Sequence, residues 1–500
     1  MKNYKFMSSV LASTLMLTLA APTILAAEAT ASTASTTSDV VIDDKAESTT
    51  AETSTIKFNS SLLPILTKQD PANDYANLIK DSLLIPRNFY LLNNKNVGGG
   101  FSVLYRNALL TLYPEYSVCF SASERGENQM DRWFYANGLS TGTFDVTFTA
   151  NTPATSIQKT STMHVVDTSD ATPVRLLPIG DSLTRAGVYL SRIKEQLPNV
   201  TIYGTREYYD DGLPAREGRG GWTLDNYFNN ICSSLDSPFL FPKDVPAENY
   251  KGNAQNWRKI CYESPSNHAY KGFQKLAKDF GTFDSFLYDK KGYYKYPKVG
   301  DVMCDPDMKY GSKWVKWNGA KWEAMATPTE FEFNFEKYIK ANKNVFTNGD
   351  PTHVSILLGA NEFGFNKHIE KADEFVAQIQ AMINSIHAYN PNINIILCLP
   401  TLGPNTSMVT STNNKPFYQG YDVRVKYATS KLLEAFDTPE MENQKVYICA
   451  MTDTLDTSKG FNYVEKKGVT DVDNSIHPSN QFGQLQMGDS LAAVIQATRQ

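Results

Sequence analysis

The sequence predicts an α/β fold, a parallel sheet covered by helices on both faces, preceded by a small all-β sandwich. Three observations lead there. From Thr172 onward, buried-type runs of β-branched and aliphatic residues ("VRLLPI", "NVTIYGT", "THVSILLG", "INIILCLP", "KVYICAM") alternate with amphipathic stretches. Strands alternating with helices imply crossover connections, and hence a parallel sheet buried on both faces. Before Thr172 the runs are short, β-branched or aromatic, and separated by turn residues, which is the pattern of a sandwich of immunoglobulin-like type. Finally, 500 residues are enough for two to three domains with a sizeable core.

The N-terminus reads as an export leader, residues 1–27. Lys2 and Lys5 precede the apolar run "FMSSVLASTLMLTLA", and small-residue cleavage sites follow near Ala27 and Ala29. A membrane anchor is the alternative; Pro22 and the Ser/Thr content argue for the leader. Residues 28–56 are rich in Ala, Ser and Thr with scattered acids. Such a stretch buries too little apolar surface to offset its ordering entropy, so a disordered linker is expected.

Residues 57–168 hold the expected β domain, with "FSVLY", "YSVCFSA", "RWFYA", "TFDVTFTA" and "STMHVVD" as strands. "GLSTG", Gly138 to Gly142, matches the G-x-S-x-G nucleophile elbow. The elbow needs a helix after its serine, but an alternating strand follows, so Ser140 is expected in a hairpin turn.

Residues 172–500 hold the α/β domain, interrupted by a long aromatic insertion at about 229–349. Within the insertion, "KWVKWNGAKWEAM" contains Asn318-Gly319, a strong hairpin signal. Trp314, Trp317 and Trp322 then form either a sugar-stacking surface or a locally packed cluster.

The net charge of −5, with acids and bases interspersed, excludes the basic stripe that nucleic acid demands. Six cysteines lack CxxC spacing, which disfavours zinc ribbons and redox pairs. Cys398 and Cys449 lie in strand-like runs and read as core thiols. Cys232, Cys261 and Cys304 share the insertion, where an export-compartment disulfide would be possible.

One four-letter motif occurs twice: "LLPIGDSLTRAG" holds Ser182 and "QMGDSLAAVI" holds Ser490. In parallel sheets, ligands bind beyond the carboxyl ends of the strands. Ser182 passes that test: it follows the run "VRLLPI" and opens a helix, where free backbone N–H groups can stabilise an oxyanion. Ser490 sits mid-helix on a stripe with Phe482, Leu485, Leu491 and Ile495, its hydroxyl expected to bond back to the preceding turn. The second copy is therefore coincidence. A serine nucleophile needs a base. Of six histidines, only His477 lies in a loop after the last strand, flanked by acids in "DVDNSIHPSNQFG".

With these residues in hand, the segment from 172 to 500 resembles the SGNH (GDSL-type) hydrolase family. Four short blocks occur in the family's order: "GDSL", the glycine of "EGRGGWTLDNYF", "LLGANE" and "IHPSN". The resemblance implies a flavodoxin-like three-layer α/β/α domain. It also implies roles: Ser182 as nucleophile, Gly221 (or Gly218) and Asn361 as oxyanion donors, and His477 as base. Two departures stand out. Glu362 replaces the Asp that usually ends the third block, where it mainly supports loop geometry. In the fourth block Asn474 stands where Asp-x-x-His is usual, with Asp473 one residue and Asp471 three residues further back.

The family's register gives the role of orienting His477 to Asn474. A one-residue bulge would instead bring in Asp473, which is the expectation favoured here, because a carboxylate both orients the ring and stabilises the imidazolium. Asp471 or a backbone carbonyl are the remaining choices. The expected function is a secreted serine carboxylic ester hydrolase working through an acyl-enzyme and removing acetyl or similar short acyl groups from a carbohydrate. No metal or cofactor is expected. The alternatives are a lipase or long-chain esterase, or a non-catalytic extracellular carbohydrate-binding protein on the same scaffold.

Overall fold

The computed structural model describes residues 78–113, 117–123, 125–205, 212–233, 235–261, 288–289, 291–343, 345–365, 368–404, 418–466, 469–474 and 476–499. The expected leader, the linker and the start of the expected β domain lie outside the described residues. By its contacts the chain divides into Met1–Asn59 and Ser60–Gln500, and every described residue belongs to the second unit.

At the centre of this unit is a parallel sheet. Its strands are β1 (Val174–Gly180), β2 (Val200–Ile202), β3 (His353–Leu357), β4 (Asn394–Cys398) and β5 (Val446–Cys449). They pair in the order β2-β1-β3-β4-β5, all parallel. That is the flavodoxin-type order, with its reversal between β1 and β3, and a ligand crevice opens at such a reversal. Glu217–Gly218 also pairs with the end of β1, bringing Gly218 beside Gly180.

The strands read as near-continuous apolar runs because both faces are covered. Along β1, Leu177 and Ile179 point into one cluster with Val354, Ile356, Ile395 and Leu397. Val174 and Leu176 point into another, with Ile396 and Cys398. The helices are α1 (Ser182–Ala186), α2 (Val188–Gln196), α3 (Ala372–Tyr389), α4 (Tyr418–Phe436) and α5 (Gly483–Ala497). Phe375, Ile379 and Ile383 of α3 and Tyr421, Val425 and Leu432 of α4 cover the first face. Tyr189, Leu190 and Ile193 of α2 and Met487, Leu491 and Ile495 of α5 cover the second. The result is three layers.

The segment expected as a β domain forms two sheets. Asn88–Leu92, Ser156–Val166, Gly142–Asn151 and Cys119–Ala122 pair in that order, and Gly100–Leu104, Arg132–Ala136 and Glu127–Asn128 make the other. Their rings meet between them, with Trp133 and Phe148 edge-to-face at 6.2 Å. This core is continuous with that of the first face of the parallel sheet. Arg106–Asp422 at 2.7 Å and Arg132–Asp456 at 2.8 Å tie the two parts together, as does Asn107, which donates to the carbonyls of Thr452 and Leu455 at 2.9 Å. The segment is thus built into the same compact unit. Ser140 is exposed between two strands with no helix after it.

In the insertion, Tyr250–Asn253, Val302–Cys304, Trp314–Trp317 and Trp322–Ala324 pair into a four-stranded sheet. Gly319, at φ +105°, makes the hairpin turn that Asn-Gly announced. Trp314 and Trp322 are buried and Trp317 packs edge-to-face on Trp322 at 5.5 Å. Of the two readings of these tryptophans, the packed cluster is the one observed. Cys304 is buried with the Cys232 side chain beside it, and both are free thiols; the Cys261 side chain lies outside the described residues. Cys398 and Cys449 are buried register partners on β4 and β5.

Candidate active site

Four segments form the site around Ser182: the turn after β1, the glycine turn that follows the Gly180–Gly218 pairing, the loop after β3, and the loop after the last strands that carries His477. The first is the turn from β1 into α1. Gly180 is required there, since a Cβ would come within 2.2 Å of Thr184 Oγ1 and 2.6 Å of the Leu357 carbonyl. Asp181 then caps α1, its Oδ1 accepting from Leu183 N at 2.9 Å. Burial pushes the Asp181 carboxyl up to about 7. Ser182 is the first residue of α1.

The second loop follows the Gly180–Gly218 pairing. Arg219 N donates to the Gly180 carbonyl at 2.9 Å, and Trp222 N returns to the Arg219 carbonyl at 3.2 Å. The third residue of this turn, Gly221, is exposed at φ +75°, a conformation that suits glycine. Of the two glycines considered, Gly221 is the one at the open apex. Gly218 is packed in, since a Cβ there would come within 2.1 Å of Arg185 N.

The third loop, Ala360–Phe365, follows β3. Asn361 is buried, and its Nδ2 donates to the Trp222 carbonyl at 2.8 Å and, at 3.4 Å, to Asp181 Oδ2. One amide therefore bridges the serine turn and the glycine turn. Glu362 beside it accepts from Leu224 N, at the start of the helix Leu224–Asn229, and from Gly359 N at 3.0 Å. This clamps the glycine turn to β3. Burial raises the Glu362 carboxyl to about 7.

His477 closes the site. Its Nε2 lies 2.7 Å from Ser182 Oγ. Burial, and then the nearby positive charge of Arg185, hold the ring below its ordinary pKa. Asn474, not Asp473, faces the other side of the ring: Asn474 Nδ2 is 2.9 Å from His477 Nδ1. The expectation of a bulge that brings in Asp473 is corrected here. Asn474 Oδ1 accepts from Ile476 N and His477 N, both at 3.0 Å, an Asx turn that keeps the unbulged register. Asp473 is exposed, and its backbone N–H pairs with the Asn462 carbonyl at 2.8 Å. The Asp471 side chain lies outside the described residues.

Arg185 was not singled out from the sequence. It sits three residues after Ser182 on α1, a spacing that puts it on the same helix face. Its guanidinium reaches the glycine turn, lying 2.4 Å from where a Gly220 Cβ would be.

The duplicate motif has a different use. Ser490 is buried in α5, donating to the Gln486 carbonyl at 3.0 Å and paired with Thr454 Oγ1 at 2.8 Å. Asp489 joins three elements: it accepts from Arg192 Nε at 2.8 Å, from Val97 N at 2.6 Å and from Gln196 Nε2.

No family model matches the chain, and neither does any curated protein sequence. Solved structures do show similarity. A carbohydrate esterase family 3 structure from Talaromyces cellulolyticus matches over 65% of this chain and 98% of its own, at 11% identity and TM-score 0.30. A family 3 carbohydrate esterase of Clostridium thermocellum matches over the same shares, at 11% identity and TM-score 0.29. A possible lipase from Chitinophaga pinensis does so at 11% identity and TM-score 0.27.

Proposed function

We propose that the chain is a secreted serine ester hydrolase that removes short acyl groups, such as acetyl, from a carbohydrate. One observation carries the catalytic part: the 2.7 Å contact between His477 Nε2 and Ser182 Oγ, at the carboxyl end of β1 beside the β1/β3 reversal. Ser182 attacks the ester carbonyl as His477 takes its proton. His477 then returns the proton to the leaving alkoxide, and water hydrolyses the acyl-enzyme. The backbone N–H groups of Ser182 and Gly221 receive the tetrahedral oxyanion, joined by the Asn361 amide as it exchanges its long 3.4 Å contact to Asp181 Oδ2 for the oxyanion. One such donor is typically worth on the order of 10²–10³ in turnover. No step calls for a metal or cofactor.

Secretion rests on the leader-like N-terminus, and no helix among the described residues is long and apolar enough to cross a membrane. The carbohydrate assignment rests on export and on the joined β sheets; the packed tryptophan hairpin lends it nothing. A second reading, a non-catalytic carbohydrate-binding protein on this scaffold, is favoured by the amide facing His477 Nδ1.

The test is a series of p-nitrophenyl esters from acetate to palmitate, together with acetylated xylan, assayed with wild type and Ser182→Ala. Turnover falling with chain length and lost in Ser182→Ala is the expected result. A preference for palmitate would move the assignment to a lipase. Turnover unaffected by Ser182→Ala would end the serine hydrolase reading.

A further inference from the structure

Asn474 presents the wrong end of its amide to His477 for a serine hydrolase. Its Oδ1 is held by two backbone N–H groups, those of Ile476 and His477, at 3.0 Å each. Its Nδ2, with only hydrogens to offer, lies 2.9 Å from His477 Nδ1. The contact is a hydrogen bond only while Nδ1 carries its lone pair. In a neutral imidazole the proton then sits on Nε2 and points at Ser182 Oγ, 2.7 Å away. A general base needs the opposite arrangement, with the lone pair on Nε2 and the far N–H held by an acceptor.

Turning the amide over would bring Oδ1 to Nδ1, but it would set Nδ2 against the two backbone N–H groups, donor against donor. Each lost hydrogen bond disfavours that form by roughly tenfold. A carboxylate has no wrong end. One oxygen keeps both backbone N–H groups while the other accepts Nδ1–H.

Resting on the hydrolase reading above, we infer that Asn474 is a positioning residue that holds His477 in the tautomer unable to take the Ser182 proton. The Ser182–His477 pair is assembled but throttled, and a carboxylate at this one position releases it.

The tautomer is read directly by long-range ¹H–¹⁵N NMR of histidine-labelled protein at pH 8, assigning His477 with His477→Gln. Wild type carries the proton on Nε2, and Asn474→Asp carries it on Nδ1. In kinetics on p-nitrophenyl acetate, Asn474→Asp raises kcat at least tenfold. The ceiling is about 10⁴, the usual loss when a triad Asp becomes Asn. Its acid limb also moves to higher pH, because the carboxylate stabilises the imidazolium. Ser182→Ala abolishes turnover in both backgrounds.

An Nδ1-protonated wild type overturns the inference, as does Ser182-dependent turnover that Asn474→Asp fails to raise. Either result leaves the hydrolase reading standing. If neither protein shows Ser182-dependent turnover or fluorophosphonate labelling of Ser182, the hydrolase reading fails and this inference falls with it.

Discussion

At Ser182 and Ser490 the same four letters meet different surroundings. Ser182 heads a short helix at a strand end, with His477 2.7 Å away. Ser490 is walled into α5 and satisfied by its own helix and by Thr454. Ser490→Ala is therefore expected to keep ester hydrolysis near the wild-type rate, since alanine suits a helix interior. Ser182→Ala is expected to lose it with no shift in Tm. Equal losses in two folded variants would contradict the assignment. The residue beside Ser490 behaves differently. Asp489→Ala strips partners from Arg192, Gln196 and the Val97 N–H. Hydrogen bonds to a charged group are worth about 1.5–3 kcal/mol each before relaxation, so a loss of about 2–4 kcal/mol in urea unfolding is expected. A change under about 0.5 kcal/mol would mean the joint is dispensable.

Among the elements, the insertion hairpin changes meaning once its packing is seen. Asn318-Gly319 announced the turn, but nothing local says whether tryptophans on alternating positions face water or a neighbouring sheet. Trp322 is 6% exposed and Trp314 2%, so the hairpin's aromatic area is used internally. Trp322→Ala is expected to cost about 3–5 kcal/mol, as for other buried aromatic truncations, and to melt the insertion before the rest. Trp317→Ala should change KM for acetylated xylan and for p-nitrophenyl acetate to the same extent. A rise confined to the polymer would restore the sugar-platform idea. The β3 loop was legible for the opposite reason: "LLGANE" directly follows a buried run, and strand polarity alone puts Asn361 at the sheet's carboxyl end.

For the whole molecule, the joint between the β sheets and the parallel sheet carries a buried acid. Asp453, after β5, is fully buried, and among the described residues neither carboxyl oxygen has a hydrogen-bond partner. Burial holds its pKa well above the ordinary carboxylate range, opposed only by the charges of Lys159 and Lys426. The native state thus keeps a proton that the unfolded chain gives up near pH 4. Stability from this group is highest at low pH and falls as pH rises from about 4 toward the raised native value. Asp453→Asn is expected to flatten that fall, with a smaller drop in urea midpoint between pH 5 and pH 8 than in wild type. A parallel pH dependence in the two proteins would show that Asp453 is not its source.

The alternation of strands and helices, the position of Ser182 at a strand end and the isolation of His477 in the last loop were all legible along the chain. Each of these follows from local periodicity or from chain order, which one strand or helix expresses without its neighbours. Three matters were decided only by tertiary structure: the residue against His477 Nδ1, the packing of the tryptophans, and the merging of the β sheets with the α/β core. An irregular loop has no period to aim its side chains. Asn474 rather than Asp473 meets the ring because the backbone N–H groups of Ile476 and His477 capture its carbonyl oxygen in a turn that keeps the unbulged register.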